Sequence, residues 1–304
     1  MKHYSVLLNE TISNLNLKPD GIYVDGTLGY AGHSSQILKA IPQGHLYGFD
    51  EDLEAIASAT ERLQAINSNF TIIHSNFSHM QEKLNELGVT RVDGIIFDLG
   101  LSSPQIDDAS RGFSFMHDAK LDMRMDKTQT LTAYDIVNNY SELELTNIFY
   151  KYGEEKLSRP IAKKIIASRP ITTTLELVNV IKSAVGQKYF NQTHPERPIF
   201  QAIRIEVNGE LKSLETVLPD AINLLNIGGR ICVITFHSLE DRLTKQTFKK
   251  YSEINELVKG LPEIPENYKP LIKLVNKKPI LPSSEELKVN SRSKSAKLRV
   301  IERI

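Results

Sequence analysis

Three short apolar runs in this sequence each end on an acid. They are Gly21-Ile22-Tyr23-Val24-Asp25, His45-Leu46-Tyr47-Gly48-Phe49-Asp50 and Gly94-Ile95-Ile96-Phe97-Asp98. Short runs rich in branched and aromatic residues read as strands buried on both faces. In an open α/β sheet, ligands bind just beyond the carboxyl ends of the strands, so each aspartate stands where chemistry is expected. Asp98 carries the most specific reading. An exocyclic base amine is a weak nucleophile because its lone pair is conjugated with the ring. A carboxylate that accepts its N–H bonds localises the lone pair and positions the nitrogen for in-line attack on an electrophilic methyl. The structural alternative is that Asp98 only caps the turn that follows, Leu99-Gly100-Leu101-Ser102-Ser103-Pro104-Gln105.

The turn after Asp25 carries glycines at Gly26, Gly29 and Gly32 before a helical stretch. A helix N-terminus behind such a turn favours an anionic group. The spacing is G-x-x-G-x-x-G, which fits neither the dinucleotide fingerprint nor, without a following Gly-Lys-Ser/Thr, a phosphate-binding loop. An amino-acid-like carboxylate fits it better. Asp50 stands where a strand-end acid accepts ribose hydroxyls. Phe77, after a third strand at Phe70–His74, is read as stacking beside an adenine, with core packing as the alternative. A nucleoside joined to an amino-acid end is S-adenosyl-L-methionine, which brings its own electrophile and requires no metal. His237, ending a strand over Arg230–Phe236, either faces substrate or is a satisfied strand-end histidine. Ser238-x-x-Asp241 reads as a capping box, and no G-x-S-x-G elbow supports a hydrolase triad.

The elements that must hold these residues alternate. Helical spacing over 52–66 and 78–87 separates the strands, with Gly88 as a stop, which means a parallel, doubly wound α/β sheet. The alternation lapses for about a hundred residues, where Ser141-x-x-Glu144 and Thr173-x-x-Glu176 read as capping boxes. It returns with a helix over 209–225 and ends in a strand at 298–304. The expected fold is therefore Rossmann-like. A discontinuous methyltransferase-type domain (1–105 and 206–304) carries an inserted, mainly helical domain (106–205) for substrate recognition.

Among 304 residues, 37 Lys+Arg balance 37 Asp+Glu, so there is no global case for a polyanion partner. The charge is uneven, however: residues 269–304 hold ten Lys/Arg against three Glu. The run Asn290–Arg299 has the make-up of a phosphate-contacting strip, with a solvated tail as the alternative. The single cysteine, Cys232, excludes an intramolecular disulfide and a Cys-based metal cluster. No run approaches a membrane span, and Val6-Leu7-Leu8 is too short for a signal peptide. The expected location is cytoplasmic, and a homodimer is left open.

Nine stretches, in order along almost the whole chain, resemble the bacterial 16S ribosomal RNA cytosine N4-methyltransferases of the MraW (RsmH) type. They are H-Y-S-V-L-L-N-E, D-G-T-L-G-Y-A-G-H-S, G-F-D-E-D, D-L-G-L-S-S-P-Q, R-G-F-S-F-M, L-D-M-R-M-D, F-Q-A-I-R-I-E-V-N-G-E-L, F-H-S-L-E-D-R and S-A-K-L-R. The resemblance implies methyl transfer from S-adenosylmethionine to N4 of a cytidine in the decoding region of 16S rRNA, within the small ribosomal subunit. It implies cofactor contacts at Ala31, Gly32, His33, Asp50, Phe77, Asp98 and Gln105. The family pattern has glycine where this chain has Ala31. Asp98 would serve catalysis as well, with Ser102 and Ser103 shaping a pocket for the base, which is flipped out of the RNA. Arg111–Met125, with Phe113, Phe115 and Arg124, is expected as a lid or stacking platform, with internal packing as the alternative. Rival readings are an NAD-dependent oxidoreductase, a non-catalytic ribosome-assembly factor on the same scaffold, and a methyltransferase acting on DNA.

Overall fold

The computed structural model describes residues 5–254 and 258–304, so His3 and Tyr4 of the N-terminal motif lie outside the described residues. Its sheet contains β1 (Ile22–Asp25), β2 (His45–Asp50), β3 (Phe70–His74), β4 (Val92–Asp98), β5 (Leu225–Thr235), β6 (Ile272–Leu274) and β7 (Lys297–Arg303). Their order is β3-β2-β1-β4-β5-β7-β6. β1 to β5 pair in parallel. β7 runs antiparallel to β5, and β6 antiparallel to β7. The expected all-parallel sheet is thus corrected at one edge. There, the chain beyond β5 returns as two antiparallel strands.

Alternation along each central strand explains the two layers of helices. Successive side chains point to opposite faces. Ile95 and Phe97 of β4 enter one core with Val24, Ile231 and Val233. Ile96 enters the other with Tyr23, Cys232 and Ile234. The first face is covered by α4 (Met80–Glu86), α12 (Glu210–Leu224) and α13 (Ser238–Ser252), which contribute Leu84, Leu218 and Phe248. The second is covered by α1 (Leu8–Asn14), α2 (Gly32–Ala40) and α3 (Leu53–Gln64), which contribute Ile12, Ile37 and Leu63. Because β1 lies between β2 and β4, Asp50, Asp25 and Asp98 end three adjacent strands along one sheet edge.

The chain divides into two compact units, Met1–Gly100 with Leu211–Ile304, and Leu101–Glu210. The second is helical: α5 (Ser103–Asp107), α6 (Ala133–Asn139), α7 (Glu142–Lys151), α8 (Ser158–Ala167), α9 (Thr174–Val185), α10 (Gln187–Thr193) and α11 (Glu196–Asn208). It has its own core, including Leu145, Phe149, Ile165, Ile181 and Ile203. The Ser141–Glu144 and Thr173–Glu176 capping boxes start α7 and α9. No helix among the described residues is long and apolar enough to cross a membrane.

Candidate active site

The sheet edge holds three carboxylates that the fold makes reluctant to ionise. Asp25 is 2% exposed. Its Oδ2 accepts the Ser34 hydroxyl (2.7 Å) and its Oδ1 the Thr27 N–H (3.0 Å). Burial outweighs these bonds and pushes its pKa up to about 6. Asp50 accepts the N–H of Gly29 at Oδ2 (2.7 Å) and of Asp52 at Oδ1 (2.8 Å), and burial raises its pKa too. Asp98 is fixed through its backbone, whose N–H donates to Thr27 Oγ1 at 2.6 Å. Its side chain is 26% exposed, but Oδ1 is covered and accepts no hydrogen bond. Oδ2 lies 3.6 Å from His33 Nδ1. Burial, followed by the charges of Asp25, Glu240 and Glu286, raises the Asp98 pKa well above the carboxylate range. Such an edge favours an incoming cation and can take up a proton.

The glycine turn is shaped around this edge. Gly29 lies at φ +48°, which a side chain rarely tolerates, and places its N–H on Asp50. Ala31, the N-cap of α2, adopts φ 57° and ψ 37°. The left-handed geometry is therefore present although the residue is alanine. That conformation costs an L-residue about 1–2 kcal/mol. The fully buried methyl offsets it by about 0.8 kcal/mol. Ala31→Gly is accordingly expected to change the unfolding free energy by less than about 1 kcal/mol, checked by urea denaturation. A loss above about 2 kcal/mol would show that methyl packing dominates.

The remaining expected residues fall in different places. Phe77 is half-buried in a 3-10 turn after β3, edge-on to Phe97 with ring centroids 5.6 Å apart. His33 is 5% exposed, with Nε2 3.0 Å from the Val6 carbonyl. Within the helical unit, Ser102 and Gln105 close a capping box on α5. The Gln105 N–H reaches Ser102 Oγ at 3.4 Å, and Gln105 Oε1 accepts the Ser102 N–H at 3.0 Å. Ser103 is the first residue of that helix.

Two expectations are corrected and a third is narrowed. The capping box of α13 starts at His237, not Ser238. Glu240 accepts the N–H groups of Phe236 (2.8 Å) and His237 (3.2 Å), and its Oε1 sits 3.1 Å from His237 Nε2. His237 thereby serves the helix start. In the 111–125 segment the side chains expected to stack pack inward, while Met116 is 74% exposed. Arg111, 5% exposed, donates to the carbonyls of Arg124 and Met125, Phe113 is buried, and Phe115 meets Phe200 edge-on. In the basic strip, Lys297 and Arg299 are both held by Asp241, at 3.1 and 2.7 Å. One carboxylate thus serves two cations, and Arg292 and Lys294 of the same strip are exposed.

Sequence reasoning had not assigned roles to Thr27, Ser34, Glu240 and Glu286. For Thr27 and Ser34 the signal was their place in the glycine turn. Glu286 carries none, lying 279 residues from its partner Leu7.

The residues present fit a ligand with a cationic amino-acid end and a ribose. A carboxylate offers about four acceptor positions, and Asp50 has used one on each oxygen. Asp98 Oδ1 is covered and unmatched. The strand order, with strand-end acids around a glycine turn, defines a Rossmann-like protein of the S-adenosylmethionine-dependent methyltransferase class. Residues 1–304 match the MraW methylase family, and the chain belongs to it. It is 53% identical over 307 residues to the ribosomal RNA small subunit methyltransferase H of Exiguobacterium sibiricum, covering 100% of this chain and 98% of that one. Among solved structures it aligns with an rRNA methylase from Streptococcus thermophilus at 12% identity (TM-score 0.39; 95% of this chain, 89% of the other). It also aligns with TrmN from Thermus thermophilus at 13% identity (TM-score 0.43; 98% and 48%).

Proposed function

We propose that this protein methylates N4 of a cytidine in the decoding region of 16S rRNA, using S-adenosylmethionine, with the base flipped out beside Asp98. The family membership and the Exiguobacterium relative, named for small-subunit rRNA, support the substrate class. The observation that carries the chemistry is the strand-end carboxylate of Asp98, whose side chain stays 26% exposed while its Oδ1 accepts no hydrogen bond within the protein. The cofactor, when bound, supplies an electrophilic methyl on a sulfonium sulfur.

The protein's own residues supply the rest. The first turn of α2, at Ala31, Gly32 and His33, receives the amino-acid end, Asp50 the ribose and Phe77 the adenine edge. Asp98 accepts an N–H of the cytosine amine and holds the nitrogen in line. It would take the proton as the N–C bond forms and the methyl's bond to the sulfonium sulfur breaks, leaving a neutral thioether. A carboxylate with a raised pKa is the stronger base for that transfer. The roles of Ser102 and Ser103 toward the base, and of Gln105 toward the cofactor, rest on the resemblance. The helical unit is proposed to recognise RNA in the small subunit, in the cytoplasm.

Mass spectrometry of small-subunit RNA from cells lacking the gene is expected to show loss of one N4-methylcytidine, restored by the wild-type gene. A retained modification refutes the assignment. Tritium transfer from labelled S-adenosylmethionine to rRNA, against binding of NAD alone, separates the reading from an oxidoreductase.

A further inference from the structure

The segment Ser5–Leu7 joins Glu286, 279 residues from Leu7, to the first turn of α2. Ser5, Val6 and Leu7 cross it. The Val6 carbonyl lies 3.0 Å from His33 Nε2. A Cβ on Gly32 would stand 1.8 Å from Ser5 Oγ and 3.1 Å from Ser5 Cβ, so the Ser5 side chain lies directly against this turn. Leu7 is fully buried at φ 50°, and its N–H donates to Glu286 Oε1 at 3.0 Å. Glu286 belongs to α14 (Ser284–Val289), where Ser283 Oγ accepts its N–H at 3.1 Å. No residue of α14 is buried. Core packing therefore does not explain why this short helix is held here. The bond from Glu286 to Leu7 ties it to the N-terminal segment, and that segment lies over the turn beside Asp98.

We propose that Glu286 is a positioning residue. With His33 it clamps residues 5–7 across the first turn of α2, so that this strap forms one wall of the pocket for the methyl donor's amino-acid end. The inference rests on the functional reading above and deepens it. Glu286 acts through the Leu7 amide, not on the ligand. What matters is then its acceptor oxygen rather than its charge.

The test compares Glu286→Ala with Glu286→Gln in the full chain. Calorimetric titration uses S-adenosylmethionine and its demethylated product S-adenosylhomocysteine, which keeps the amino-acid end but lacks the sulfonium charge. Losing an acceptor for a partly buried amide is expected to weaken binding of both ligands about tenfold in the alanine variant. The glutamine variant, which keeps an acceptor oxygen, is expected within about threefold of wild type, since a neutral acceptor is only modestly weaker. Hydrogen exchange at the Leu7 amide, without ligand, is expected to speed up only in the alanine variant.

Unchanged affinity in Glu286→Ala overturns the proposal. So does a glutamine variant as weak as alanine, or a loss confined to S-adenosylmethionine, since either outcome assigns the effect to charge. If the wild-type protein binds neither ligand, the functional reading and the pocket wall both fail, and amide exchange still tests the clamp.

Discussion

Asp98→Asn is expected to lower the rate of methyl transfer by about 10²–10⁴-fold, the usual range for a positioned general base, while the protein melts no lower than wild type. The two halves of this result have one cause. Asp98 is held by its backbone N–H on Thr27, and asparagine keeps that bond. Its Oδ1 is covered without a partner, and burial together with the charges of Asp25, Glu240 and Glu286 opposes its ionised form. A neutral amide removes this penalty and removes the proton acceptor with it. Such opposition between stability and activity is characteristic of reacting groups. Single-turnover transfer of labelled methyl into small-subunit RNA, paired with a thermal melt, reads both. Undiminished transfer would take Asp98 out of the mechanism, and a large drop in Tm with inactivity would make it a structural residue. The pH dependence follows from the same residue. In the proposed reaction Asp98 must be ionised to accept the amine proton. Because its pKa is raised, kcat/KM is expected to fall, as pH falls, at a higher pH than an ordinary carboxylate would give.

How far the sequence disclosed this site depends on the range of each interaction. The strand-end acids were legible because Asp25, Asp50 and Asp98 each close a short apolar run, and parallel strands put such ends on one edge. The start of α2 was legible from its glycines. The left-handed turn at Ala31 was not, since alanine gives no sign of positive φ and tertiary packing imposes it. The start of α13 was misplaced by one residue, because His237 with Glu240 competes with Ser238 and Asp241 for the same cap. Arg111 and Arg124 looked like RNA contacts by composition, and only the fold shows their guanidinium groups turned onto backbone carbonyls and Asp122. β6 has three residues and no periodicity to detect; its pairing with β7 creates it. The clamp from Glu286 to Leu7 joins positions 279 residues apart, beyond the reach of any local pattern.

Asp25→Asn is expected to raise stability at pH 7.5 and to flatten its dependence on pH. Asp25 titrates near 3.8 in an unfolded chain and at about 6 in the fold. Between these values the folded state binds more protons than the unfolded state, so stability falls as pH rises through the window. The full penalty, reached above pH 6, is about 3 kcal/mol for a buried group with this displacement. Asparagine can keep both native bonds: its oxygen accepts the Thr27 N–H, and its amide donates to a reoriented Ser34 hydroxyl. The wild-type protein should therefore lose stability between pH 4 and 6 relative to the variant, a difference that urea titrations across that range would read. Matching slopes would mean that Asp25 titrates normally. On the proposed function the carboxylate has a use, because an arriving cation would offset what burial opposes. Asp25→Asn should bind S-adenosylmethionine more weakly than wild type at pH 7.5, with less loss for S-adenosylhomocysteine. In the wild-type protein, binding at pH 6 should release protons, as the cation lowers the pKa of a half-protonated Asp25. A variant that gains stability and keeps full affinity would leave the buried charge unexplained by ligand binding.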